Sequence, residues 1–171
     1  MKGSTEQLSH RLQELKESFD RSFAEPLIMA QTEKENLLSV RVGQSDLCIR
    51  LNDLLTVAKA RKIVPIPNAP PGLLGVCGLR ERLVAVFQLS ELLGLGAPKT
   101  PLRWLLVCKG DAEVGLGLEE INAYLQILPS ELSPVDDWAA GLHIRWLFKR
   151  GPQSFGVIDI SSILDSLNPH R

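Results

Sequence analysis

The chain has 171 residues, 44% hydrophobic and 23% charged, with a formal net charge of −1. This is ordinary globular usage, which excludes wholesale disorder, predicts one domain or one with an appendage, and lets a core form without metal or disulfide. No apolar run approaches the ~20 residues of a membrane span, the polar start MKGSTEQLSHRLQELKES is neither a signal nor a transit peptide, and a near-neutral chain is a poor dedicated nucleic-acid binder. A cytoplasmic protein with no direct membrane insertion is expected.

Residues 4–24 predict an amphipathic helix. Leu8, Leu12, Leu15, Phe19 and Phe23 share one face, Ser4 with Gln7 fits a capping box, and Pro26 ends the segment. Its stripe suits packing on its own domain or service as an accessory docking helix. Residues 31–36 are polar and read as a linker, which divides the chain into 1–35, 36–167 and a tail at 168–171. From Leu37 the pattern becomes short strands with turns. Leu37–Val42 and Leu47–Leu51 form a hairpin around Gly43 to Asp46. Asn52 caps a short helical turn through Val57, and the prolines of Lys62–Pro67 impose an extended chain. Leu73–Leu79 and Arg82–Leu89 are strands joined at Arg80-Glu81, followed by a short helix over Ser90–Leu95. Arg103–Cys108 and Ala112–Leu118 are strands, residues 119–123 are left open, and Tyr124–Leu128 is extended. Pro129–Asp137 reads as a loop. A last hairpin, Leu142–Lys149 with Ser154–Ile158, leads into a helix over Asp159–Leu167, capped by Asp159 or Ser161. Two successive strand sets of similar size indicate an all-β barrel or sandwich.

Chemistry is sparse. Cys48, Cys77 and Cys108 form no CxxC pair and sit among apolar residues, so they read as buried thiols. His10, His143 and His170 have no partner at metal-ligand spacing. Gly94-Leu95-Gly96 and Gly115-Leu116-Gly117 complete no phosphate or dinucleotide loop. Glu119-Glu120 has no companion acid. No catalytic residue and no cofactor site is expected. Residues 50–82 carry six Lys/Arg against two acids, a net +4, whereas residues 83–137 net −5. That asymmetry is a solvated surface or a feature that steers partners.

The order of residues 63–95, IVPIPNAPPGLLGVCGLRERLVAVFQLSELLGL, resembles the CheW-like domain of bacterial chemotaxis coupling proteins. The matches are Ile63, Pro65, Pro67, Pro70, Gly75, Val76, Leu79, Arg80, Val84, Val86, Leu89 and Leu93-Gly94, and the resemblance covers about residues 36–166. It departs at Gly78, Glu81, Ala85, Gln88 and Leu118-Glu119, where the family has Asn, Gly, Pro, Asp and Val-Asp. A divergent paralogue is the expectation.

The resemblance implies a mainly β fold of two small SH3-like five-stranded barrel subdomains sharing a core, with an N-terminal helix and short helices added. It implies a non-catalytic adaptor, with no cofactor, that joins chemoreceptor cytoplasmic tips to the regulatory domain of a CheA-type histidine kinase. Carried over by position, Arg80 contacts an acidic partner helix or braces the barrels internally. Arg82 belongs to the same basic cluster. Gly75 and Gly115 admit a close approach or bend their strands. Leu54 and Val57 lie near partner surfaces or in the core. Glu81 is the candidate for altered specificity, since it replaces the glycine of a tight turn. The alternatives are a paralogue keeping one of the two contacts, a small-ligand-binding β-barrel with a deep apolar pocket, and a nucleic-acid-binding barrel using residues 50–82.

Overall fold

A computed structural model describes residues 33–136 and 141–168. The helix expected over residues 4–24 lies outside the described residues. The first hairpin is β1 (Glu35–Val42) and β2 (Ser45–Arg50), paired so that Val42 faces Ser45 across a two-residue turn. A single 3-10 turn, Leu51–Asp53, leads into β3 (Leu54–Lys59). This corrects the helical turn expected through Val57. Leu54 is already extended at φ −103° and ψ 138°. Thr56 and Val57 are β-branched and pair with Val107 and Leu106, so strand pairing overrides the capping signal at Asn52.

The second hairpin is β4 (Leu73–Leu79) and β5 (Arg82–Gln88), followed by the one-turn helix α1 (Leu89–Leu92). Next come β6 (Trp104–Cys108), β7 (Val114–Leu118) and β8 (Glu120–Ile127). The loop expected over Pro129–Asp137 contains the short strand β9 (Leu132–Pro134). The last hairpin, β10 (Ile144–Arg150) and β11 (Gln153–Ile158), precedes α2 (Ile160–Leu167). Asp159 caps α2: its Oδ1 accepts from the Ser162 amide at 3.3 Å.

The fold is mainly β, in two subdomains. One sheet has six strands in the order β8-β1-β2-β11-β10-β9, and the other has five in the order β3-β6-β7-β5-β4. Among the described residues only β11 on β2 and β5 on β7 are parallel pairs. The subdomains are not the two successive sets that the sequence suggests. The larger sheet joins β1–β2 to β8–β11, and the smaller is inserted between them. Across the gap between β3 and β4 runs the proline-bearing connector. It is held by a bond from the Ala60 amide to the Arg103 carbonyl at 2.9 Å and, further along, by a two-bond exchange between Val64 and Val76.

Strand alternation builds three cores. The shared core lies between the sheets, with Leu38, Val40, Leu47 and Ile49 on one side and Leu54, Leu106, Leu116 and Leu118 on the other, closed by Ile160 and Ile163 of α2. The interior of the larger subdomain holds Leu37, Cys48, Leu125, Phe148 and Val157. That of the smaller holds Cys77, Leu79, Val84, Val86, Leu105 and Val107. Hence β6 is buried on both faces, which is why WLLVC reads as a continuous apolar run. In β7, VGLGL, the large residues fill the shared core. Gly115 turns toward the smaller interior, where an added Cβ would lie 2.7 Å from Leu105 Cδ1 and 2.9 Å from Val84 Cγ1.

All three thiols are free and buried. Burial pushes Cys48 up to about 11 and Cys108 up to about 12, so both stay protonated and unreactive at neutral pH.

Candidate interaction site at the β4–β5 turn

In the β4–β5 hairpin Leu79 faces Arg82, leaving Arg80 and Glu81 as the two turn residues. Both have positive φ, 48° and 66°. Two left-handed residues define the type I′ turn that suits a twisted hairpin and usually carries Asn-Gly. For a residue with a Cβ that conformation costs about 1 kcal/mol. Glu81 therefore keeps the tight turn instead of reshaping it. Both side chains are exposed. Arg80 has no ion pair or side-chain hydrogen bond among the described residues. Nothing there gives it an internal brace, so its guanidinium is presented to solvent.

Arg82 stands at the base of the turn and pairs with Glu113 at 2.9 Å. Beneath these charges is a depression of about 240 Å³, floored by Leu79, Val84 and Val107 and walled by Leu55. It falls below the roughly 300–1,000 Å³ of most small-molecule pockets. It is the mouth of the smaller subdomain, with an apolar floor and a rim of two arginines and one glutamate. Such a surface suits a side chain or a helix edge that is apolar with a carboxylate beside it.

The other expected site residues lie elsewhere. Leu54 is buried in the shared core and Val57 packs against the same cluster. Gly75 is buried at φ 141°, and an added Cβ would stand 2.1 Å from the Val64 carbonyl oxygen. The close approach it admits is that of the chain's own connector. Gly115 opens space inside the smaller subdomain, as described above. Arg80, Glu81 and Arg82 thus share one surface, whereas Leu54 and Val57 belong to the shared core, Gly75 to the connector contact and Gly115 to the interior of the smaller subdomain.

Leu55, 56% exposed, was not singled out by the sequence reading. A signal was present: two adjacent leucines at a strand start cannot both face inward. A register shift between Leu54 and Thr56 decides which one turns out.

The basic segment 50–82 is partly consumed internally. The Arg50 guanidinium lies 3.8 Å over the Trp146 ring and its Nε is 3.7 Å from Glu35. With Arg82 paired as well, the continuous basic stripe needed for nucleic acid is not formed by those two residues.

Two of the family departures meet in space. Gln88 Nε2 donates to Glu119 Oε1 at 2.9 Å with both side chains buried. A carboxylate at position 88 would face another carboxylate there, whereas glutamine supplies a donor. A second depression, about 260 Å³, includes His143, Arg145, Asp159 and Ser162. Its polar groups bind one another: His143 Nδ1 lies 2.8 Å from Ser162 Oγ, and Arg145 donates to Asp159 at 3.1 Å. Among the described residues no group of three or more His, Cys, Asp or Glu is placed to hold a metal, and no helix is long and apolar enough to cross a membrane.

The CheW-like domain matches residues 36–168 as a family. The chain is 24% identical over 106 residues to the chemotaxis protein CheW of Rhizobium meliloti, across 61% of this chain and 68% of that protein. To the chemotaxis protein CheW of Thermotoga maritima it is 24% identical over 134 residues, across 77% of this chain and 88% of that protein. Its fold is similar to the crystal structure of the scaffolding protein TtCheW from Thermoanaerobacter tengcongensis, with a TM-score of 0.65, 17% identity, and coverage of 74% of this chain and 90% of that one.

Proposed function

The chain belongs to the CheW-like domain family, and from that premise we propose that it is a non-catalytic cytoplasmic adaptor in chemotaxis-like signalling, coupling a chemoreceptor cytoplasmic tip to the regulatory domain of a CheA-type histidine kinase. The observation that carries the reading is the exposed Arg80 on a left-handed turn, without an ion pair among the described residues. It stands above an apolar depression that Leu55 borders. Strain retained at an exposed turn is characteristic of positions kept for contact. An exposed planar guanidinium can take a partner carboxylate in two parallel hydrogen bonds.

A second reading has its own support. Glu81 is exposed beside Arg80, and a carboxylate there would repel an acidic partner that a glycine turn admits. On that reading the protein keeps one contact, receptor or kinase, and modulates array assembly.

Both readings meet one test. The tagged protein is used to capture partners from native lysate, with Arg80→Glu as the control and partners identified by mass. Recovery of both a chemoreceptor and a CheA-type kinase, lost with Arg80→Glu, is the expected result for a coupling protein. Recovery of only one points to the modulator. Recovery of neither, with the protein folded, overturns the adaptor reading at this site.

A further inference from the structure

A sheet edge is a row of backbone donors and acceptors ready to pair with another chain, and proteins commonly blunt it. Three of the four edges here are blunted. The β4 edge is covered by the connector through the Val64–Val76 bridge. β9 has three residues and ends in Pro134. β3 carries Lys59 and is interrupted by the register shift after Leu54. The fourth edge is β8, an eight-residue strand paired among the described residues to β1 alone. It has no lysine and no proline; its one charge, Glu120, and its bulge at Asn122 both fall in its first three residues and leave Ala123–Ile127 regular, whereas the shift in β3 adds to a lysine on a six-residue strand. Among the described residues no backbone hydrogen bond outside the β1 ladder reaches Glu120–Ile127. Asn122, Ala123, Tyr124 and Gln126 are exposed.

We propose that the β8 edge pairs with β8 of a second copy of this chain, antiparallel and centred on Leu125. β8 carries an extra residue at Asn122, where its register on β1 shifts, so the regular stretch is Ala123–Ile127. Its centre is Leu125. In an antiparallel twofold about that residue, Tyr124 faces the partner's Gln126 and Ala123 faces the partner's Ile127. Glu120 falls outside the paired stretch, so no like charges oppose each other. The two edge side chains are already ordered: Tyr124 Oη donates to Asn36 Oδ1 at 2.6 Å, and Gln126 Nε2 donates to Tyr124 Oη at 3.0 Å. Such ordering lowers the entropy cost of association. An isologous contact of this kind closes on itself as a dimer.

The test is sedimentation equilibrium of the full chain over a wide concentration range, with thermal unfolding as the folding control. The wild type is expected to show a concentration-dependent monomer–dimer equilibrium. The pair Tyr124→Lys with Gln126→Lys opposes two lysines at both facing positions and is expected to weaken dimerisation about tenfold. The pair Tyr124→Lys with Gln126→Glu opposes lysine to glutamate and is expected to restore it. A wild type that stays monomeric overturns the proposal, even if β8 takes up a strand from some other protein. So does a dimer that both variants leave unchanged, or one that both variants abolish while the monomer stays folded.

Discussion

Two of the hairpins that turn in two residues, β10–β11 and β4–β5, solve the same steric problem differently. In β10–β11, Arg150 faces Gln153, and the turn is Gly151-Pro152 with only Gly151 at positive φ, 61°. In β4–β5, Leu79 faces Arg82, and both turn residues, Arg80 and Glu81, take positive φ although each carries a Cβ. The first turn uses the residue types that fit without strain. The second accepts about 1 kcal/mol per residue and in return presents two charged side chains at the tip of a strand pair. Ladder bonding along β4–β5 and the connector docked on β4 hold that turn in place. The contrast separates a turn optimised for closure from one shaped by what it displays.

The largest way to break this contrast is Gly75→Ala. It forces a Cβ against the Val64 carbonyl, undocks the connector from β4, and is expected to cost about 3 kcal/mol or more in urea unfolding. Gly151→Ala meets no neighbour within 4 Å, so its cost is conformational alone, about 1–2 kcal/mol. Glu81→Gly should have the opposite sign, raising stability by about 0.5–1 kcal/mol in the same assay. If it destabilises, Glu81 makes a contact that outweighs its strain. The smallest effect belongs to Arg82→Ala. Its pair with Glu113 is largely solvent-exposed, so a change under about 0.5 kcal/mol that fades with added salt is expected from thermal unfolding at low and high ionic strength.

The strands were legible where a local period exists. The strands Leu73–Leu79 and Arg82–Gln88 follow from their apolar runs, and the turn between them from the charged pair Arg80-Glu81 that separates those runs. β3 was misread because a capping residue at Asn52 resembles a helix start, and only the partner strand β6 reveals that the chain stays extended. The interleaving of the subdomains was hidden for a related reason: Leu37 pairs with Leu125, and no local signal encodes a partner that distant. At the site, the sequence identified the charges but not the depression beneath them. Leu79, Val84 and Val107 look like ordinary strand residues until three strands bring them together. Gln88 and Glu119 likewise read as two separate departures from a family pattern, and the fold makes them one buried pair.

The order in which strands leave the ribosome now matters. β3 through β7 form a self-contained sheet. Its pairings can close while the rest of the chain is still being synthesised. β1 and β2 emerge before that sheet yet stay unfinished, because their flanking partners β8 and β11 follow it in the chain. Until those strands arrive, Leu37 and Cys48 have no core to enter. High sequence separation of this kind slows the final closure and prolongs exposure of a sticky hairpin. The inserted sheet would then act as the folding platform, and the larger one as the latch that its last strands fasten.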